Sequence, residues 1–117
     1  MIRGIGVDVV DLARFTRQIE RTPALVPRLF ALGEQDLPVH SLAARFAAKE
    51  ALIKALGDSA GATWHEMEIV NDPQGNPEFK LSGTALQALA DRGISRVHVT
   101  MTHDAGVACA FVVAEGE

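Results

Sequence analysis

Residues 41–57 of this 117-residue chain form a predicted helix with almost no face left for solvent. Ser41 is placed to cap the helix and Gly57 to end it. At about 100° per residue, the large apolar side chains fall on one arc and alanines cover nearly all of the remainder. The arc holds Leu42, Phe46, Leu52, Ile53 and Leu56, and the alanines are Ala43, Ala44, Ala47, Ala48, Ala51 and Ala55. Such a helix must be covered on both sides, so the rest of the chain has to pack around it.

Three of the four charged residues of this helix, Lys49, Glu50 and Lys54, lie where each needs a partner. Lys49 points into the large apolar arc, whereas Glu50 and Lys54 lie together on its edge. One interpretation is a Glu50–Lys54 salt bridge on a surface helix, which would stabilise it by only about 0.3 to 0.5 kcal/mol. The alanine face argues against an exposed helix. A polyanionic ligand with a hard cation such as Mg²⁺ would satisfy all three charges.

A further carboxylate lies near the start, in the segment Gly4-Ile5-Gly6-Val7-Asp8. In a strand, both glycines share a face with Asp8, so a ligand or another backbone could approach closely there. The alternative is a tight strand-to-helix turn with Asp8 as a solvated cap. The dinucleotide-binding fingerprint is excluded, because Val9 occupies the position of its third glycine.

The remaining pattern predicts an α+β fold with a mainly antiparallel sheet packed against the long helix. Strands are expected at 2–9, 66–70, 78–81, 96–102 and 106–113, and helices at 11–21, 42–56 and 84–92, with a short helical stretch within 22–32. The length predicts one domain over residues 1–117, with only the last three residues frayed. The strand at 106–113 is apolar on both faces, so we expect the long helix to cover one face and another subunit the other.

Four segments carry a resemblance to a known family and occur in the family's order: 4–15, 45–57, 75–77 and 97–104. In these segments the chain resembles the holo-acyl-carrier-protein synthases, the short bacterial type of 4′-phosphopantetheinyl transferase. The resemblance implies that family's α+β fold. It also implies transfer of the phosphopantetheine arm from coenzyme A to a serine of an apo acyl carrier protein, with release of 3′,5′-ADP. Mg²⁺ dependence, a role in fatty acid or polyketide biosynthesis, and a homotrimer with sites between subunits are further implications.

The resemblance also assigns roles to residues at the expected metal site. Asp8 and Glu50 are implied as metal ligands, which agrees with the charge argument made from the residues alone. Lys54 would lie on the phosphates. Glu50, directly or through a metal-bound water, would take the proton of the carrier serine.

Binding of the nucleotide is assigned to residues elsewhere in the chain. Lys49, Thr102 and His103 would help to hold it, and the 75–77 loop with Gly75 and Pro77 would lie near its adenine end. A turn residue before a tight hairpin is the alternative interpretation of His103. Two features depart from the family pattern: Thr100 and Thr102 replace serines that relatives often carry, and the connection at 30–45 is short.

Charge is unevenly distributed along the chain, whose net charge is −4. Residues 1–28 hold five arginines against three acidic residues, and Arg14, Arg17 and Arg21 form one stripe on the predicted helix. The simplest interpretation of the stripe is a solvated face. The resemblance implies instead that it docks an acidic acyl carrier protein. Nucleic acid is a poor partner, because the chain is acidic and has neither tyrosine nor an aromatic-basic repeat.

The composition predicts a cytoplasmic protein without a membrane partner. Cys109 is the only cysteine and lies in an apolar run, so it is expected to be a reduced core residue and not part of a disulfide. Arg3, Gly4 and Asp8 interrupt any signal-like start, and no apolar run approaches the roughly 20 residues that cross a bilayer.

Two other function classes remain open at this point. A ribonuclease-H-type nuclease or hydrolase also uses an early strand carboxylate with helix carboxylates around divalent metal, but it would need further acidic residues and a basic substrate face. A non-catalytic module that binds carrier proteins would explain the arginine stripe and the apolar strand. It would not explain why Lys49 and Glu50 lie on a buried helix.

Overall fold

The computed structural model describes residues 1–117 and contains five strands and four helices. The strands are β1 (Ile2–Asp11), β2 (Met67–Asn71), β3 (Pro77–Leu81), β4 (Arg96–Asp104) and β5 (Val107–Glu115). The helices are α1 (Leu12–Arg21), α2 (Leu25–Leu29), α3 (Val39–Leu56) and α4 (Gly83–Asp91), and single 3₁₀ turns occupy Leu32–Glu34 and Trp64–Glu66. Every predicted strand and helix is present, with boundaries shifted by at most a few residues.

All strand pairs are antiparallel, as the sequence predicted. One sheet has the order β1-β5-β4, and β2 and β3 form a separate hairpin. In the larger sheet Asp8 lies opposite Ala110, and Val7 lies opposite Phe111. The inner face of β5 consists only of small or β-branched residues, namely Ala108, Ala110, Val112 and Ala114, all buried. These short side chains let α3 lie close against the sheet.

Helix α3 runs through the core and is buried along most of its length, which confirms that it has almost no solvated face. It ends at Gly57 in the left-handed conformation, with φ of 96°, and the Gly57 N–H donates to the carbonyls of Ile53 and Lys54. The predicted cap at Ser41 is wrong. The helix begins at Val39, and Pro38 occupies the N-cap position, where it has no side-chain oxygen that could accept from the first turn.

Two glycines of β1 allow the close contact between this strand and α3. A Cβ atom at Gly4 would overlap the carbonyl oxygen of Ala55, and one at Gly6 would overlap that of Ala51. Of the two interpretations left open for these glycines, the approach of another backbone is the one observed. Asp8 follows on the same face and is therefore brought beside the last turns of α3.

The outer face of the larger sheet is apolar and uncovered. Ile5, Val7 and Val9 of β1 are exposed by 60, 50 and 59%, and Phe111 of β5 by 42%. The prediction that Cys109 is a core residue is wrong, because its register opposite Val9 places it on this outer face, half-buried. It is a free thiol, as predicted.

The two chain ends meet at the edge of the same sheet. The Gly116 N–H donates to the Met1 carbonyl at 2.9 Å, and Glu115 still belongs to β5. The expectation of a frayed end at 115–117 is wrong. The Glu115 carbonyl accepts from the Ser95 N–H, and the Gly116 N–H bonds to Met1 before β1, so these residues are held in place. No helix combines the length and the apolarity that crossing a bilayer requires.

We predict that Gly6→Ala lowers the free energy of unfolding by about 2 kcal/mol or more, because its methyl group has no space against Ala51. Urea denaturation measures this loss. The matched control is Gly75→Ala, whose added carbon meets nothing within 4 Å but whose φ is +86°. Gly75→Ala should lower the free energy of unfolding by only about 1 kcal/mol, the cost of placing a residue with a side chain in the left-handed backbone conformation. Equal losses in the two variants would contradict close packing at Gly6.

Candidate active site

Lys54 of α3 reaches across to β1 and pairs with Asp8. Its Nζ atom donates to Asp8 Oδ1 at 2.9 Å and to the carbonyl of Val7 at 3.1 Å. The interpretation of Glu50 and Lys54 as a simple surface pair is therefore wrong, since the lysine bonds to the strand. The hydrogen bond to Asp8 and the charge of that carboxylate raise the pKa of Lys54. The pair is an ammonium and a carboxylate held at fixed positions.

Glu50 lies half-buried beside this pair. Burial, and then the negative charge of Asp8, raise the pKa of Glu50, while Lys54 opposes them more weakly. Two carboxylates from different elements thus share one site, with one cation between them and the solvent. The two carboxylates repel each other, and a further cation bound beside them would relieve this repulsion.

These three residues line one recess of about 370 Å³, which is within the range of about 300 to 1,000 Å³ typical of small-molecule sites. Its floor is formed by β1 and α3, and α1 forms its rim. The lining residues are Asp8, Val9, Val10, Asp11, Arg14, Phe15, Gln18, Phe46, Glu50 and Lys54. We call this the carboxylate recess.

The donor set of the carboxylate recess fits Mg²⁺. Asp8 and Glu50 offer hard oxygen ligands, and no group of three or more His, Cys, Asp or Glu side chains could hold a metal by itself. Mg²⁺ is commonly bound by one or two carboxylates, with water and substrate phosphates completing the shell.

A second recess lies at the other end of α3. It is lined by His40, Ser41, Ala44, Arg45, Met101, Thr102 and His103. The rings of His40 and His103 are 4.8 Å apart between centroids. Arg45 is 8% exposed, and its Nε atom is buried without a hydrogen-bond partner. Cationic and hydroxyl donors that converge on one small recess are suited to an anion. We call this the histidine recess.

The two recesses share no lining residue. Arg45 and Glu50 are five residues apart on α3, so their side chains leave the helix about 140° apart. A single chain therefore brings together Asp8, Glu50, Lys54 and Arg14, and separately brings together Thr102, His103 and Arg45. Arg45 and His40 were not identified as site residues from the sequence. Arg45 does lie within the recognised 45–57 segment, but only the folded chain places His40 against His103.

Lys49 is not part of either recess. Its side chain has no exposed surface, and its Nζ donates to Glu34 Oε1 at 2.7 Å and to the carbonyl oxygens of Leu29 and Trp64. Burial lowers the pKa of Lys49, and the hydrogen bond and charge of Glu34 oppose that effect. The predicted role of Lys49 in holding the nucleotide is therefore wrong in this chain, because all three of its hydrogens are already used inside the core.

The loop at 75–77 is the turn of the β2–β3 hairpin. Asp72 Oδ1 accepts hydrogen bonds from the N–H groups of Gln74 and Asn76, at 2.9 and 2.8 Å. Gly75 has φ of +86° in this turn, and Pro77 begins β3. Neither residue lines either recess, so their predicted place near adenine stays a prediction.

The three arginines predicted to dock a carrier are all exposed on α1. Arg14 lies at the rim of the carboxylate recess, while Arg21 lines an adjoining groove. That groove is mostly apolar and includes Phe15, Leu25, Leu29, Phe46 and Trp64. Arg17 lines neither.

Comparison with known proteins gives a consistent result over the whole chain. The model of the 4′-phosphopantetheinyl transferase superfamily matches residues 4–112. The chain belongs to this superfamily. Holo-[acyl-carrier-protein] synthase of Clavibacter michiganensis subsp. michiganensis is 63% identical over 117 residues, covering 100% of this chain and 98% of the relative. That of Leifsonia xyli subsp. xyli is 64% identical over 115 residues, covering 98% of each.

Solved structures of this enzyme family share the fold. The holo-[acyl-carrier-protein] synthase of Neisseria meningitidis superposes with a TM-score of 0.90 at 37% identity, covering 98% of this chain and 99% of that one. The Helicobacter pylori synthase, solved in complex with coenzyme A, gives 0.83 at 30% identity, covering 95% of this chain and 99% of that one. The resemblance inferred from the sequence motifs is confirmed. The chain is a phosphopantetheinyl transferase of the holo-[acyl-carrier-protein] synthase type.

We predict that Glu50→Gln stabilises this synthase at neutral pH in the presence of a chelator. The pKa of Glu50 is raised in the folded chain, so the unfolded chain loses the Glu50 proton at lower pH than the folded chain does. The folded state therefore loses stability as the pH rises from the pKa of Glu50 in the unfolded chain through its pKa in the folded chain. The gain in Tm of the variant over the parent should be positive at pH 7 and shrink toward zero near about pH 4. A gain that does not change with pH would contradict a raised pKa.

Proposed function

We propose that this synthase transfers 4′-phosphopantetheine from coenzyme A to a serine hydroxyl of an apo acyl carrier protein and releases 3′,5′-ADP. One observation carries the proposal: Asp8, Glu50 and Lys54, from two elements distant in sequence, meet in one open recess. This arrangement offers two carboxylates and an ammonium to a pyrophosphate. We further propose that the reaction serves fatty acid biosynthesis in the cytoplasm.

The roles of the residues follow from the chemistry of phosphoryl transfer, which depends mainly on positioning and charge neutralisation. Asp8 and Glu50 would hold Mg²⁺ together with phosphate oxygens, and the ion, when bound, would neutralise charge on the pyrophosphate. The Lys54 ammonium is held in place by Asp8, but its side chain is still about half exposed. It can therefore also donate a hydrogen bond to a phosphate. The raised pKa of Glu50 suits a group that takes the serine proton as the new P–O bond forms.

The histidine recess is our candidate for a phosphate of the nucleotide portion. Arg45, Thr102 and His103 all contribute to its lining. An anion bound there would add charge-assisted hydrogen bonds to the Arg45 guanidinium, whose Nε lies 3.8 Å from Glu34 Oε2. The two recesses share no lining residue, and Arg45 and Glu50 leave α3 about 140° apart, so we propose that a coenzyme A molecule that uses both bridges two copies.

The uncovered outer face of the β1-β5-β4 sheet supports such an assembly. Each of the three strands contributes one row of side chains to this face, and the β1 row is Ile5, Val7 and Val9. The row from β5 lies in the middle, and the row from β4 is more polar. The middle row is Cys109, Phe111 and Val113, and the third is His98, Thr100 and Thr102. An apolar face of this kind is typical of a subunit interface. We propose a homotrimer on the basis of the family resemblance, with each active site shared between neighbouring subunits.

Intact mass of an apo acyl carrier protein, after incubation with this synthase, coenzyme A and Mg²⁺, tests the reaction directly. The carrier should gain the mass of one phosphopantetheine arm, and a chelator should prevent the gain. Asp8→Asn and Lys54→Met should each lower kcat/KM on the order of 100-fold or more, because each removes charge from the reacting phosphates.

The matched control is Glu78→Gln, which removes an exposed carboxylate of β3 that lines neither recess nor contacts Asp8. It should react at the parental rate. No gain of mass with several bacterial carriers would overturn the proposed reaction, and parental activity of Asp8→Asn would overturn the role of that carboxylate.

We predict that Arg14→Glu raises the KM for the carrier protein by about tenfold and leaves the KM for coenzyme A nearly unchanged. Arg14 is exposed at the rim of the recess, where an acidic carrier would approach. Charged contacts of this kind steer encounter and fix register, so the difference from the parent should shrink at high salt. Steady-state kinetics with each substrate varied in turn would measure both constants.

The same charge change at Lys80, an exposed residue of β3, provides the control for Arg14→Glu. If Lys80→Glu raises the carrier KM to the same extent, the effect arises from net charge and α1 is not the docking face.

A further inference from the structure

The ion pair between Lys49 and Glu34 is completely buried. Both side chains have no exposed surface, and Lys49 Nζ lies 2.7 Å from Glu34 Oε1. The same ammonium donates to the carbonyls of Leu29, at 2.8 Å, and Trp64, at 3.2 Å. It also lies 5.1 Å from the centre of the Phe30 ring. All three hydrogens of the ammonium are therefore directed to acceptors on three different segments.

The Glu34 carboxylate is held equally firmly from its own side. Oε1 also accepts from the N–H of Ala31 at 3.0 Å, and Oε2 accepts from the N–H of Ile69 on β2 at 3.3 Å. Arg45 Nε lies 3.8 Å from Oε2. The pair thus ties α3 to the end of α2, to the Leu32–Glu34 turn and to β2.

Stability alone is a poor reason for this pair. Removing two charges from water costs several kcal/mol per ion, and well-packed apolar residues of similar volume are often as stabilising or more so. A methionine at position 49 would fill the same space in this apolar core. What the ion pair adds is direction, because its hydrogen bonds specify where the side chain of residue 49 must point.

That direction fixes the rotation of α3 at the residue next to Glu50. Gly4 and Gly6 set how closely β1 approaches this helix at Ala55 and Ala51, and the anchored Lys49 leaves the helix about 100° from Glu50. With side chains about 5 to 6 Å from the axis, a rotation of about 10° would move the Glu50 carboxylate by about 1 Å. A misplacement of about 1 Å can cost about 100-fold in rate.

We propose that the buried Glu34–Lys49 pair is a positioning device that sets the rotation of α3 and thereby directs the Glu50 carboxylate toward Asp8. The proposal rests on the proposed function of the carboxylate recess. Neither Lys49 nor Glu34 touches substrate; both act through Glu50.

The test uses two variants, Lys49→Met and the double variant Glu34→Gln/Lys49→Met. In each, the affinity for Mn²⁺, which serves as a probe of the Mg²⁺ site, and the steady-state kinetics are compared with those of the parent. Both variants replace the charge with a group of similar volume. Measured well below Tm, Mn²⁺ affinity in the presence of coenzyme A should fall about tenfold or more, as expected when the support of a ligand is lost. The value of kcat should fall by a similar factor, with both KM values changed less than about threefold.

A double-mutant cycle separates positioning from general loosening of the core. If Lys49 acts through Glu50, then Lys49→Met should cause little further loss of Mn²⁺ affinity in a Glu50→Gln background. Leu89→Ala, in the buried face of α4, is the matched control: it should lower Tm without changing Mn²⁺ affinity.

Parental Mn²⁺ affinity and kcat in folded Lys49→Met would overturn the proposal, as would equal losses with and without Glu50. If the lysine variants do not fold, Glu34→Gln, which preserves shape, carries the comparison of Mn²⁺ affinity, whereas its kinetics also report on Arg45, which lies 3.8 Å from Glu34. The Mn²⁺ measurement needs no carrier protein. If the proposed reaction is wrong, the parental protein will not modify the carrier. If the positioning proposal is wrong, the variants will bind Mn²⁺ as tightly as the parent.

Discussion

The close contact between β1 and α3 is the constraint on which the rest of this structure depends. Gly4 and Gly6 leave no room for a Cβ atom against the carbonyls of Ala55 and Ala51, so strand and helix lie backbone against backbone. This contact fixes the distance between Asp8 and the turn of α3 that carries Glu50 and Lys54. Alanines on α3 and on β5 continue the same close packing across the sheet. The recess and its charges are a consequence of that packing.

Three of the four charges on α3 have three different environments. Lys49 is bonded inside the core, Lys54 bonds to the Asp8 carboxylate, and Glu50 faces the recess with a raised pKa and the negative charge of Asp8 beside it. Of these three, only Glu50 forms no ion pair. In the proposed function, a divalent cation and a pyrophosphate would supply the missing partner, so the chemistry uses the charge that the fold leaves unpaired.

Much of this could be predicted from sequence because the signals are local. The alternation of β1, the alanine-rich α3 and the stop at Gly57 predicted the elements, and the motifs predicted Asp8, Glu50 and Lys54 together. The failures were long-range. Lys49 was expected at the ligand because its partner, Glu34, is fifteen residues away in a turn with no helical or strand periodicity. Arg45 and His40 gave no signal because the histidine recess exists only where α3 meets β4. Cys109 was placed in the core because an apolar run does not reveal which face of a strand is covered.

In the proposed homotrimer, the two recesses of one α3 belong to two different active sites. Co-expression of differently tagged Glu50→Gln and His103→Ala chains, followed by isolation of complexes carrying both tags and assay of carrier modification, tests it most directly. Each variant alone should be strongly impaired. In a ring of three heterologous interfaces, every complex that carries both tags has one interface that combines an intact carboxylate recess with an intact histidine recess, so the isolated complexes should show roughly one third of the parental activity. Mixed complexes no more active than the single variants would contradict a shared site.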